Sequence, residues 1–597
     1  MNSLVVRNGR VFDGRGGPGR AADVLVRGDR VEAIEPTGVL SPPPDAETID
    51  AAGCWVTPGF VDLHTHYDAE VEVAPALFES LRHGVTTCVL GSCSLSMVLG
   101  RPADLADQFC RVEAIPRDVV LPLLERVKDW EGPREYFAHL DRLPLGPNVA
   151  CLLGHSTLRS SVLGMERSLT RGLRPTEEEY RRMEALLDEA LDEGFLGMSI
   201  STLPWDKLDG EVFRSRPMPS VFAPWSEYRR LSKRLRARGR VLQAVPNIST
   251  KLNVILFYLL SSGGLWGTPL KTTLISMMDV RSDRLAFRIA GALARFFNRF
   301  LRADFRLQAL PEVFDLWADG MDIVVFEEFE AGAAALHFAD LERRHALLRD
   351  PAYRRRFKRQ WRRRWLPRAY HRNFEHSEVI SCPDPRVVGK SFADIGRERG
   401  VDAVDAFLDL VLEHGRALRW YTVMGNDRPR WLEWIVRHPD ILIGFSDAGA
   451  HLRNMAHYNF PLRLLRLVRD ADAAGRPCMS VGRAVQRLTS EIAEWLGLDA
   501  GVLAPGRRAD LVVVRPEALD ERLDEVHEEA VPEFGGLRRL VRRNDEAVEA
   551  VVVGGRIAAR RGVPADELGE RPFGRLLRAG RGDRARRDAV PLPQAVA

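Results

Sequence analysis

Short apolar runs alternate with longer amphipathic stretches through the middle of the chain, and both ends carry runs rich in β-branched residues punctuated by glycine turns. Alternation of this kind predicts parallel strands joined by crossover helices. Eight runs qualify as strands, at 60–63, 85–90, 149–153, 195–200, 241–245, 272–277, 419–424 and 441–445. Eight is the number that closes a (β/α)8 barrel. The gap between the sixth and seventh runs far exceeds what one helix needs, so an insertion is expected at about residues 300–400. At the N-terminus, 4–12, 22–26 and 30–34 read as strands, with Asn8-Gly9 as a hairpin signal. Near the other end, 510–514 and 548–557 read the same way around Gly554-Gly555. The expected organisation is therefore one β-sandwich composed of residues 1–57 and 500–597, and a barrel over 58–499.

Composition narrows the function classes. The chain has 597 residues, with 86 Lys and Arg against 83 Asp and Glu, a formal charge of +3. That balance provides no global field for nucleic acid or for an acidic membrane, and neither partner is expected. Seven scattered cysteines do not suggest a disulfide framework, and the first residues lack a basic stretch followed by an apolar one, so a reducing cytoplasmic setting is expected. The most apolar segment, 252–266, is shorter than the ~18–20 residues of a spanning helix and reads as a lid or core helix. The basic run 354–365 reads as a solvated helix face with acidic partners such as Glu342; a nucleic-acid or lipid patch is the alternative. The Arg- and Gly-rich stretch 575–587 reads as a loose tail.

Candidate chemistry begins at His64-Thr65-His66, where a short apolar strand ends with two imidazoles. Residues i and i+2 of a strand point the same way, roughly 6.5 Å apart, so both rings can converge on one cation. Neutral imidazole is a common ligand for zinc and related metals. Cys93 follows the second strand, where a thiolate would be a strong ligand and a buried thiol the plain alternative. Asp447 follows the last strand, where a carboxylate could both ligate a metal and take a proton from an activated water; a turn or N-cap is the other reading.

Five stretches carry a resemblance: 58–68, 91–94, Gly154-His155-Ser156-Thr157-Leu158-Arg159, Ser446-Asp447, and 505–513. Together they resemble the amidohydrolase superfamily, in its N-acyl-D-amino-acid deacylase (D-aminoacylase-like) branch. The resemblance spans nearly the whole chain. It implies an α/β fold, a metal-dependent (β/α)8 TIM-like barrel with a small β-sandwich formed by both termini, hydrolysing a carbon–nitrogen amide bond through a hydroxide generated on the metal. By match, His64 and His66 hold a metal, Cys93 holds or bridges one, and Asp447 is metal ligand and general base. The implied cofactor is a divalent metal, zinc first, in one or two copies. Asp68, His155 and Arg159 are the candidate substrate-binding residues, Arg159 being suited to clamp a carboxylate.

The fourth strand has no lysine to carry a carbamate, which separates this chain from the hydantoinase and dihydroorotase branches. Lys207, beyond it, is read as exposed or substrate-facing. A departure follows at the fifth and sixth strands, where the family places histidines for a second metal and this chain has none. Gln243, Asn247 and Asp279 could offer oxygen ligands or could be hydrogen-bonding and loop residues. The leading expectation is deacylation of an N-acyl (D-)amino acid or a similar small amide. A cyclic amide or imide hydrolase, and a non-catalytic small-molecule-binding barrel that has lost the second metal, stand as alternatives; a homo-oligomer is compatible with all three.

Overall fold

The computed structural model describes residues 3–580 apart from 42, 249 and 364–367. Eight parallel strands form one sheet in chain order: Phe60–Asp62, Val85–Leu90, Asn148–Gly154, Gly197–Ser201, Val241–Val245, Lys271–Leu274, Asp304–Ala309 and Ile441–Ile443. Most of their residues are buried on both faces, which is why they read as continuous apolar runs. The two edge strands meet just beyond their ends. Leu63 N–H donates to Gly444 O at 3.0 Å, and Thr65 bridges Ala448 in parallel register. Helices cross between the strands; Glu177–Glu193, for example, starts on a Thr176/Glu179 capping box and stops at Gly194, whose φ of 107° suits glycine.

The seventh strand differs from the sequence expectation. Arg419–Gly425 is the central strand of a separate three-stranded antiparallel sheet, between Phe314–Asp319 and Ser377–Ser381. The barrel position belongs to Asp304–Ala309, which pairs in parallel with Lys271–Leu274 and Ile441–Ile443. Its sequence Asp-Phe-Arg-Leu-Gln-Ala alternates polar and apolar residues and so lacks the apolar run that marks its neighbours. Two of those polar groups have specific partners: Arg306 pairs with Asp440 at 3.0 Å, and Gln308 reaches His64. The insertion therefore lies between the seventh and eighth strands, from Leu310 to Asp440. It has its own core around Phe326, Phe357, Phe374, Phe407 and Trp420.

The basic run belongs to this insertion. On the helix Pro351–Trp361, Arg354 donates to Asp409 at 2.7 Å and Lys358 to Asp405 at 2.6 Å, and beyond it Arg362 pairs with Asp402. Spacing of four residues stacks these cations along one helix face, where they meet carboxylates on or just before Ala403–His414. Those carboxylates, and Glu330 at 3.7 Å from Arg356, are the partners rather than Glu342. Residues 364 and 365 of the run lie outside the described residues.

Both ends build a nine-stranded sheet in which Trp55–Pro58 pairs with Leu511–Val514, so the first strands and the last share one apolar core. Asn8-Gly9 is not a hairpin turn there. It is a bulge within the continuous strand Ser3–Val11, with Asn8 at φ 63°; a Cβ on Gly9 would lie 2.5 Å from Val56. Gly554-Gly555 does make its turn, between Val548–Val553 and Arg556–Arg560. The expected loose tail is anchored as far as it is described: Leu577 N–H donates to Val149 O at 2.7 Å and Ala579 N–H to Gly194 O at 2.9 Å. Residues 581–587 of that stretch lie outside the described residues.

Candidate metal centre

The C-terminal ends of the first, second and eighth barrel strands converge. One ligand atom each from His64, His66 and Cys93 lies within 4.8 Å of the others, and all three residues are buried. His64 Nε2 is 3.3 Å from Cys93 Sγ. Asp447 Oδ1 lies 3.4 Å from the Nε2 atoms of both histidines. Each ring thus offers Nε2 to a common point and turns Nδ1 outward. His64 Nδ1 is 2.7 Å from Gln308 Oε1, an acceptor that selects the Nδ1–H tautomer and leaves the Nε2 lone pair toward the cluster. His66 Nδ1 lies 3.2 Å from Glu113 Oε1, although the angle there is too poor for a hydrogen bond.

Backbone geometry holds this arrangement under strain. Cys93, Ser94, Asp447 and His451 all have positive φ, between 47° and 72°, in residues that carry Cβ atoms. Such conformations persist where surrounding structure enforces them, and they gather at functional sites. Here Cys93 N–H donates to Gln243 Oε1 at 3.0 Å, and Asp447 N–H to His64 O at 3.3 Å. Asp62 ties the first strand to the eighth, accepting from Ser446 Oγ and from His64 N–H.

Protonation follows from burial and from these neighbours. Burial lowers His64 to about 4 against the pull of Asp447. Burial opposes ionisation of Asp447, yet the His66 and His64 imidazoles outweigh it and hold the carboxyl at about 2. Glu113, buried beside His66, is raised to about 8. The Cys93 thiol is pushed up to about 12 by burial, partly offset by His66. A thiol so buried ionises when a cation supplies the compensating charge. Two imidazole nitrogens, a sulfur and a carboxylate oxygen form a donor set suited to zinc or a similar borderline cation.

Other sequence candidates lie elsewhere. His155 and Arg159, the candidate substrate-binding pair, are fully buried and bound to Glu227: His155 Nε2 at 3.0 Å from Oε1, and Arg159 Nη1 on Oε2. They cannot clamp a substrate without breaking this triad, because the buried carboxylate needs both partners. Asp68 is also buried, both its oxygens accepting from Gly91 N–H at 3.0 and 3.2 Å, so it positions the loop before Cys93. Asp279 is committed to Arg428 through two contacts of 2.6 Å. Gln243 does reach the centre, through the Cys93 backbone. Asn247 N–H donates to Thr202 and Asn253 in the loop beyond.

Sequence reasoning missed Glu113, Gln308, His451 and Asp206. Gln308 was hidden by the misplaced seventh strand. His451 follows Asp447 by four residues, a spacing that could have flagged it, and burial beside Asp447 and His66 lowers it to about 4. Glu113 ends the helix Pro102–Glu113 and carries no local signal. Asp206, raised to about 6 by burial, lies within electrostatic reach of His66 and Lys207.

A closed parallel barrel with such a donor cluster at the C-terminal ends of its strands has the architecture of the metal-assisted hydrolases. Residues 301–559 match the Amidohydrolase family. An uncharacterized protein of Mycobacterium tuberculosis (strain H37Rv) is 48% identical over 585 residues, covering 97% of this chain and 96% of its own length. The N-acyl-D-glutamate deacylase of Alcaligenes xylosoxydans xylosoxydans is 36% identical over 196 residues, 33% of this chain and 36% of that protein. Among solved structures, the N-acyl-D-glutamate deacylase of Bordetella bronchiseptica, complexed with zinc and a phosphonate inhibitor, superposes with a TM-score of 0.62 at 24% identity, over 96% of this chain and 99% of that one. The chain carries an amidohydrolase-family domain and is an enzyme of that class, similar over part of its length to D-aminoacylases.

Proposed function

We propose that the protein hydrolyses the amide bond of an N-acyl amino acid, the D-configured acids first, with one divalent cation, zinc by preference, held by His64, His66, Cys93 and Asp447. The observation that carries the reading is the convergence of His64 Nε2, His66 Nε2, Cys93 Sγ and Asp447 Oδ1 at the C-terminal ends of the barrel strands. A cation bound there would polarise the substrate carbonyl and acidify a water molecule. Asp447, ionised at neutral pH, accepts a proton from the attacking water as its oxygen adds to the carbonyl carbon. The same carboxyl then returns that proton to the leaving nitrogen as the carbon–nitrogen bond breaks, giving a carboxylic acid and a free amine.

The names of the deacylase relatives support the substrate class. A count of one cation rests on Gln243: its carbonyl oxygen is occupied by the Cys93 N–H at the strand end where a second metal would need an imidazole. Lys207, on the loop after the fourth strand, lies within electrostatic reach of Asp206, which in turn reaches His66, and we assign it the substrate carboxylate. The experiment is release of free amino acid from N-acyl-D- and N-acyl-L-amino acids by the zinc-loaded protein, with cyclic amides alongside. Turnover of the D-series supports the reading; turnover of cyclic amides alone overturns it.

A further inference from the structure

The helices Lys251–Ser261 and Ala286–Phe300 follow the fifth and sixth barrel strands and lie side by side: Tyr258 Oη donates to Ala290 O at 2.8 Å, and its ring stacks on Phe297. Their inner faces are ordinary barrel packing. Their outer faces are not ordinary surface. Leu285, Ile289, Phe296 and Phe300 recur at intervals of four, seven and four residues, which puts them on one stripe of the helix. All four are between 49% and 66% exposed. Leu252, Ile255, Leu265 and Trp266 add exposed apolar surface from the neighbouring helix and the turn after it. That turn meets the end of the second helix, where Gly264 N–H donates to Leu301 O at 2.9 Å. An apolar face of this extent marks an interaction site.

Charge decides what it meets. Arg288, Arg295 and Arg299 occupy an adjoining stripe of the same helix, and Arg302 follows it; all four are exposed. The helix contains no acidic residue. Among the described residues, no carboxylate lies within ion-pairing distance of any of the four arginines. Arg288 instead rests over the Trp431 ring at 4.8 Å. The acids that flank the helix are engaged elsewhere: Asp283 by the Leu285 and Ala286 N–H groups, and Asp304 by Trp495 Nε1 at 2.8 Å. An exposed apolar stripe flanked by unpaired arginines, with tryptophans at its margins, matches an interfacial helix lying on an anionic bilayer. Two-fold pairing with a second copy would set the arginine rim against itself.

We propose that this face docks the protein on an anionic phospholipid surface, peripherally and without a spanning helix. The inference departs from the sequence expectation of no membrane contact, and it is independent of the proposed deacylase activity. Full-length protein is sedimented with phosphatidylcholine vesicles, with and without phosphatidylglycerol, beside the variants F296S/F300S and R295E/R299E; circular dichroism checks that each remains folded. Binding is expected with phosphatidylglycerol, weakening as salt is raised, and each double variant lowers the bound-to-free ratio roughly tenfold or more. No binding, equal binding to both vesicles, or unchanged binding of the folded R295E/R299E variant overturns it. A concentration-dependent dimer that both variants dissolve, with no vesicle binding, assigns the face to a second copy and overturns it as well.

Discussion

Gln308 Oε1 lies 2.7 Å from His64 Nδ1, so a residue of the seventh barrel strand fixes the tautomer of a histidine from the first. The neutral amide does this without adding charge to a buried site. Truncating it frees the ring to rotate and to place its proton on Nε2. Gln308→Ala should weaken cation affinity roughly 10- to 100-fold. Competition with a chelator of known affinity measures this directly, and an unchanged affinity removes Gln308 from the centre.

His64, His66, Cys93 and Asp447 were legible in the sequence because each follows a short, continuous apolar run. Gln308 was out of reach for the converse reason: the alternating residues of Asp304–Ala309 hide that strand, while Arg419–Gly425 imitates one. His155 and Arg159 show a different limit. Their motif is plain in the sequence, but Glu227, the partner that turns them into a buried triad, is 68 residues from Arg159. The terminal sheet was legible from its β-branched runs and glycine turns, whereas the Asn8-Gly9 bulge depends on contact with Val56.

Removing that triad's carboxylate tests its role. Glu227→Ala leaves Arg159 buried without a counter-charge, a change that costs about 3–5 kcal/mol. Thermal unfolding should fall by several degrees, and cation content of the protein that remains folded should be preserved. A stable variant with a raised KM would return Arg159 to the substrate.

Lys207 is assigned the opposite behaviour. Burial lowers its pKa, Glu327 and Asp206 act to raise it, and among the described residues no side chain holds it in an ion pair. Lys207→Met should raise KM for N-acyl amino acids roughly tenfold or more, with a smaller change in kcat. The uncharged amide of the same substrate should be insensitive to the substitution. An equal effect on both substrates contradicts the assignment.

Acid stability should depend on Glu312. Burial raises its pKa, but Arg463, 2.7 Å away, with His457 and Arg542, brings it down to about 2 from an ordinary value of 4.5. A folded pKa below the unfolded one contributes stability that is present above about pH 4.5 and is lost as pH falls toward 2. The melting temperature of wild type should therefore exceed that of Glu312→Gln at pH 7, with the gap narrowing below about pH 4.5 and closing near pH 2. A gap that stays constant across this range excludes Glu312 as the source.

The central claim is that His64, His66, Cys93 and Asp447 hold one catalytic cation and that Asp447 also moves the proton. Its most direct test is metal content per chain and kcat, measured together on wild type, Cys93→Ala and Asp447→Asn after zinc loading. The account predicts about one zinc per wild-type chain and loss of both metal and turnover in Cys93→Ala. Asp447→Asn should retain most of its metal while kcat falls by about 10²–10⁴. Full turnover in Asp447→Asn, or an active Cys93→Ala protein free of metal, would contradict it.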